Sequence, residues 1–400
     1  MTEYHLISTI IGCIVAAAFL GYIAQKLKLP TLVGYLLAGV LIGPHTPGFV
    51  ADVKLAKQLA EIGIILLMFG VGLHFSLNDL LRVRRVAVPG ALFQMLAATL
   101  LGTLVGTVSG FPLEGSILFG LALSVASTVV LLRALGEQGL LDSEPGKLAV
   151  GWLIVEDIVM VLAIVLLPLT AEMLKAGTQM NAVVLLTEVF EILLKIGGFV
   201  GLMLLFGRRF LPTILQKVAD TDSKELLTLC TLGIALGFAA LAYSVFDASF
   251  ALGAFFAGLV LNESDIGKET AKTTESLRDT FAVLFFVSVG MLFDPMTLIN
   301  QPVLVLLTLA IIVFGKTLAA LLITRLFRQD LKTSLVVSFS LAQIGEFSFI
   351  LAGMGLVLNI LSIELYNLIL AGALLSIALN PLAFKVMRYW QGDIQKKTID

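Results

Sequence analysis

The chain has 400 residues, 58% of them hydrophobic and only 14% charged, with a formal net charge of -2. That composition excludes a soluble globular domain and a disordered segment, and it makes the chain a polytopic membrane protein whose residues face lipid or other apolar helices. The near-neutral charge leaves no basic surface for nucleic acid, the loops are too short for a separate soluble domain, and Cys13 and Cys230 lie in hydrophobic runs without metal or disulfide spacing.

A bilayer core of ~30 Å takes ~20 apolar helical residues to cross. In chain order, about thirteen spans are predicted, near 6–25, 31–43, 57–76, 86–108, 113–135, 145–169, 182–206, 224–243, 247–263, 278–294, 302–326, 331–355 and 363–388. The opening MTEYH puts no positive charge ahead of the first run, so that run reads as a permanent span rather than a cleaved signal. The second is short for a crossing. Loops after odd-numbered spans, with the span ends that border them, hold 21 of the 26 Lys and Arg residues, among them Arg82, Arg84, Arg85, Arg208, Arg209, Lys268 and Arg328; those after even-numbered spans hold Lys54, Lys57 and Lys175. Cytoplasmic loops retain basic residues, so the N-terminus is expected outside and the C-terminus in the cytoplasm.

The chain resembles itself at an offset of about 218 residues. VGYLLAGVLIG (33–43) aligns with LGAFFAGLVLN (252–262), and LLMFGVGLHF (66–75) with LFFVSVGMLF (284–293). The same offset pairs the fifth span, ALSVASTVVLL, with the twelfth, SLAQIGEFSFI. Seven spans separate corresponding helices, and seven is odd, so the two copies enter the membrane from opposite sides. The expected organisation is a first inverted repeat over 1–181, a linker span within 182–223 and a second repeat over 224–400. Such transporters bind their substrate beside helices that break near the midplane. The fifth span, with Ser124, Ser127 and Thr128, and the twelfth, with Gln343, Gly345 and Glu346, are the predicted broken, crossing helices.

In the sixth span, GWLIVEDIVMVLAIVLLPL, Glu156 and Asp157 lie side by side. Asp157 is about twelve residues in, ~18 Å along a helix rising ~1.5 Å per residue, which is close to the midplane. An ionisable residue there costs ~2.5–3.5 kcal/mol on insertion scales and marks a functional site by default. Lys316, at similar depth in the eleventh span, is the natural counter-charge, whereas Lys195 pairs with Glu191 at i, i+4 within one helix. Two acids against one lysine leave a surplus carboxylate. Neighbouring carboxylates resist being ionised together, and their oxygens, joined by Ser and Thr hydroxyls and freed backbone carbonyls, suit a dehydrated alkali cation. Proton and monovalent cation then compete for one site at Asp157. Glu346 is expected to compensate helix-terminal partial charge rather than to carry protons. An intramembrane aspartyl protease would need a second deep aspartate on another helix, and the sequence offers none, so no enzyme is expected.

With these residues in place, the chain resembles the cation:proton antiporter superfamily, in particular its Kef-type potassium-efflux branch, over all thirteen spans. The segments LPTLVGYLLAGVLIGP, LMFGVGLHFSL, LFFVSVGMLFDP and SLAQIGEFSFIL carry the likeness. The resemblance implies a homodimer in a bacterial inner membrane, in which a six-helix core moves against a scaffold. It also implies an essential ion-binding aspartate at Asp157, a variable position at Glu156, an unwound-helix threonine at Thr128 and a core lysine at Lys316. Kef proteins place Gln before the aspartate, electrogenic sodium antiporters Asp and electroneutral ones Asn. Glu156 with Lys316 thus resembles the electrogenic arrangement, while the other motifs resemble the potassium branch. Kef-type chains often continue into a nucleotide-binding regulatory domain, but no GxGxxG fingerprint accompanies the terminal KVMRYWQGDIQKKTID, and no cofactor is expected in this chain. The expected activity is K+/H+ antiport, with Na+/H+ antiport or a gated, channel-like K+ efflux as alternatives.

Overall fold

The computed structural model describes residues 5–47, 49–74, 77–141, 143–176, 191, 194–195, 197–246, 250–262 and 265–397. Among the described residues every regular element is a helix. The first half comprises α1 (His5–Lys26), α2 (Thr31–Ile42), α3 (Val53–His74), α4 (Leu77–Val108), α5 (Leu113–Leu123), α6 (Thr128–Glu137) and α7 (Glu144–Ala176). The second comprises Arg208–Ala219, Lys224–Phe246, Phe250–Asn262, Asp265–Met291, Pro302–Leu326 with a π-helical turn at Ile311–Gly315, Leu331–Ser340, Glu346–Val357 and Ile363–Lys397. Six of the described helices are long and apolar enough to cross a membrane, and shorter apolar helices accompany them.

The expected spans reappear as helices, with three instructive differences. The fifth and twelfth are each split in two, as their polar centres imply. The tenth, expected from 278, begins at Asp265, because its first half, DIGKETAKTTESLRDT, is too polar to register as a span yet holds few helix breakers. Of the seventh, expected over 182–206, residues 182–190, 192–193 and 196 lie outside the described residues; within it, Lys195 and Glu191 form the expected ion pair at 2.8 Å.

The helices gather into two compact units. One is formed by Met1–Ala17, Leu41–Phe75 and Ile164–Met291, the other by Ala18–Val40, Ser76–Ala163 and Leu292–Asp400. Within the second unit, a Cβ at Gly34 would stand 2.4 Å from the Leu20 carbonyl oxygen; within the first, a Cβ at Gly253 would stand 2.4 Å from that of Phe238. Both glycines let one helix backbone lie against its predecessor, the small-residue device of membrane helix packing, and the two crossings recur at the offset seen in the sequence.

The second unit holds the residues of interest. Its core interlocks Ala87 and Ala91 of α4, Leu131 and Leu135 of α6, and Leu148 and Trp152 of α7 with Ala320, Val336 and Phe384 from later helices. In lipid the hydrophobic effect does not distinguish a helix neighbour from an acyl chain, so close packing and hydrogen bonds hold this core together.

Candidate ion-binding site

Two unwound segments cross in the second unit. After α5 the chain leaves the helix at Ser124, runs extended at Ser127 (φ -82°, ψ 124°) and re-enters it at Thr128, with the Ser127 hydroxyl capping α6 by accepting from Val130 N at 3.3 Å. Likewise Leu331–Ser340 gives way at Leu341, and Gly345 (φ -107°, ψ 176°) precedes Glu346–Val357. Freed backbone groups need partners in a medium without water, and each break supplies the other. Gly345 N donates to Val125 O at 3.2 Å. The Gln343 amide grips Ser127 from both sides: Oε1 accepts from Ser127 N at 2.8 Å, and Nε2 donates to Ser127 O at 3.1 Å.

α7 brings the two acids to the first break. Glu156 is fully buried and Asp157 only 8% exposed. Glu156 Oε2 accepts from Ala126 N at 2.7 Å, and Asp157 Oδ2 accepts the Thr128 hydroxyl at 3.3 Å. Adjacent helical side chains point ~100° apart, and here that angle lets one helix hold the segment on both sides of Ser127. The remaining oxygens, Glu156 Oε1 and Asp157 Oδ1, are buried without a hydrogen-bond partner. An unpartnered buried acceptor costs ~1–3 kcal/mol, more when charged. A proton or a cation removes that cost.

Lys316 follows the π turn and is fully buried. It interacts electrostatically with Glu156, but its Nζ donates to the backbone carbonyl of Gln343 at 2.8 Å, and among the described ion pairs none joins it to an acid. The counter-charge expected from sequence thus stands within electrostatic reach of Glu156 while its hydrogen bond goes to the second break. The second break frees a carbonyl that no helical N–H reaches, and the ammonium takes it. Glu346, 5% exposed at the start of its half-helix, accepts the Ser127 hydroxyl at 3.2 Å and places a third carboxyl within electrostatic reach of Asp157.

Several of the freed carbonyls have partners within the site. Those of Ser124, Val125, Ser127 and Gln343 already accept from Gln94, Gly345, Gln343 and Lys316 respectively. Ser127 spends its N–H, carbonyl and hydroxyl on the crossing itself. Of the acids on α7, Glu156 Oε1 and Asp157 Oδ1 stay without a partner, the Asp157 carboxyl accepting the Thr128 hydroxyl through its other oxygen. Gln94 escaped the sequence reading. Fully buried on α4, it donates from Nε2 to Ser124 O at 2.8 Å and accepts from Trp152 Nε1 at 3.3 Å. Its signal was an amide in the middle of an otherwise apolar span.

Crossed half-helices with buried acids define a class of ion transporter. Residues 14–388 match the family described as sodium/hydrogen exchanger, transmembrane, and the chain belongs to that family of cation/proton antiporters, which are transporters and not enzymes. It is 57% identical to YbaL of Escherichia coli (strain K12), which carries a provisional description as a cation/proton antiporter, over 96% of this chain and 68% of that protein. It is 32% identical to K(+) efflux antiporter 4 of Arabidopsis thaliana, over 96% of this chain and 64% of that protein. The chain spans about two thirds of the length of both. The solved structure of the sodium proton antiporter MjNhaP1 from Methanocaldococcus jannaschii at pH 8 covers 97% of this chain with a TM-score of 0.70 at 19% identity, a likeness of fold.

Proposed function

We propose that this antiporter exchanges cytoplasmic K+ for H+ by alternating access, with both ions competing at Asp157. The observation that carries the reading is the pair of unpartnered buried oxygens, Glu156 Oε1 and Asp157 Oδ1, on adjacent residues of one helix, with the Thr128 hydroxyl on the Asp157 carboxyl. A proton on either carboxyl, or a dehydrated alkali cation drawn to both, satisfies oxygens that nothing else in the site reaches, and occupancy by one disfavours the other. In this reading Glu156 tunes the charge balance with Lys316, Gln343 and Glu346 support the crossing, and Ser127 shapes the break rather than binding the ion. Residues 1–181 and 224–400 act as inverted repeats around the linker at 182–223. The protein works as a homodimer in a bacterial inner membrane, with an outside N-terminus and a cytoplasmic C-terminus, and needs no cofactor.

Potassium is favoured by the motifs shared with the potassium-efflux branch and by the name of the plant relative. Sodium is the second reading, because an acid at position 156 and the fold of MjNhaP1 both accompany sodium exchange. The test is exchange in proteoliposomes loaded with a pH dye, driven in turn by K+ and Na+. Asp157→Asn is expected to abolish cation-driven proton movement; retained exchange would remove Asp157 as the carrier, and a response to Na+ alone would decide for the second reading.

A further inference from the structure

Gln94 lies outside the acid pair and both breaks, yet both ends of its amide are in use. Nε2 donates to Ser124 O at 2.8 Å, and Oε1 accepts from the Trp152 indole N–H at 3.3 Å. Trp152 precedes Glu156 by one helical turn on α7, and neighbours at i, i+4 share a face. Ser124 precedes Ala126, whose N–H is held by Glu156 Oε2 at 2.7 Å. A closed circuit results: Trp152 to Gln94, Gln94 to Ser124, along the chain to Ala126, across to Glu156 and back down α7 to Trp152. α7 therefore holds the unwound segment directly through Glu156 and Asp157 and, upstream of both, by way of Gln94.

The surroundings are cut to fit this circuit. One turn before Gln94, a Cβ at Gly90 would stand 2.3 Å from both Cη2 and Cζ3 of Trp152, so α4 has no side chain where the indole enters. Ser124 caps the C-terminus of α5, where carbonyls lack intrahelical donors and carry partial negative charge. A donor there keeps the carbonyl from turning towards the acids, where it would alter both the shape and the charge of the ion pocket.

We propose that Gln94 is a positioning residue for transport, holding the first unwound segment in register with Glu156 and Asp157 so that their open oxygens address one ion. The proposal rests on the exchange reading above. An apolar side chain at 94 leaves the Ser124 carbonyl and the indole N–H without partners and releases the hold upstream of the acids. The acids themselves stay intact, so cation affinity falls while turnover at saturation largely survives.

The experiment compares wild type, Asp157→Asn, Gln94→Met and Trp152→Phe by two readouts with K+ and Na+ as probes. One is the apparent KM for the cation in proteoliposome exchange, and the other is the cation concentration giving half-maximal thermal stabilisation of the purified protein. Gln94→Met is expected to raise both about tenfold, or ~1.4 kcal/mol, with kcat within about threefold of wild type. Trp152→Phe, which frees Oε1 but keeps the bond to Ser124, is expected to shift both in the same direction by less. Wild-type values of both in Gln94→Met overturn the proposal, as does a loss confined to kcat. Should Gln94→Met fail to fold, unchanged values in Trp152→Phe overturn it instead. Absence of exchange in wild type would strike the exchange reading, while the stabilisation midpoint would still decide the role of Gln94.

Discussion

A single methyl group at position 345 tests the crossing of the two breaks. The backbone of Gly345, at φ -107° and ψ 176°, is open to any residue, so the glycine is not there for conformational freedom. A Cβ would stand 2.5 Å from Ala126 O, 2.8 Å from the Ala126 carbonyl carbon and 2.9 Å from Ser127 Cα. All three are backbone atoms, and no rotamer change relieves the overlap. Since non-bonded carbons settle at ~3.5–4.0 Å, the segments must part by roughly 1 Å, which breaks the 3.2 Å bond from Gly345 N to Val125 O. Overpacking of this kind costs ~1–3 kcal/mol and the lost bond ~0.5–1.5 kcal/mol, so Gly345→Ala is expected to destabilise the protein by about 2–4 kcal/mol. Exchange should fall at least about tenfold at subsaturating cation, because the displaced residues flank those held by Glu156 and Asp157. Thermal unfolding in detergent and proteoliposome exchange measure the two effects. A variant with wild-type unfolding and exchange would refute the close crossing.

Gln343→Leu removes the two bonds to Ser127; Ser127 O keeps the bond from Leu131 N, but the buried Ser127 N–H is left unpaired at ~1–3 kcal/mol, so thermal unfolding should show the loss, and an unchanged midpoint counts against the pairing. Lys316→Met is expected to destabilise more than the double variant Lys316→Met/Glu156→Gln, since the single change strands a buried carboxylate, whereas strictly additive effects in a double-mutant cycle would mean the two charges are uncoupled. Glu191→Ala serves as a control. Its 2.8 Å pair with Lys195 is partly exposed and should change stability by no more than about 0.5 kcal/mol.

The amount of this site that is legible in the sequence depends on the kind of information needed. Length and hydropathy locate the spans, and depth along them flags Glu156, Asp157 and Lys316, because a charge in an apolar run is visible without coordinates. The breaks are legible for a similar reason: Ser127-Thr128 and Gln343-Ile344-Gly345-Glu346 interrupt apolar runs with groups able to serve a broken backbone. Partner atoms are not legible. The bonds between Gln343 and Ser127 join residues 216 positions apart, and nothing in either segment names the other's atoms. Lys316 shows the consequence, since the sequence supplies a base among acids but only the fold reveals a free carbonyl within its reach. Gln94 was missed because a neutral amide is weaker evidence than a charge, and its importance lies in the two groups it joins.

The geometry bears on why a helix would carry two adjacent acids at such cost. Each carboxyl divides its labour, one oxygen holding the first break and the other without a hydrogen-bond partner. A hydrogen bond accepted by an ionised carboxylate is roughly twice as strong as one between neutral groups. Under the exchange reading, protonating Glu156 or Asp157 therefore weakens the grip of α7 on Ala126 or Thr128, and replacing the proton by a cation restores it. The identity of the bound ion is then registered in how firmly the unwound segment is held. Lys316, bonded to Gln343 O rather than locked to a carboxylate, joins the second break to the same balance of charge. A site built from permanent ion pairs would hold both breaks equally well whichever ion was present and would give a conformational change nothing to read. The unpaired oxygens are what make the loaded and unloaded states mechanically different.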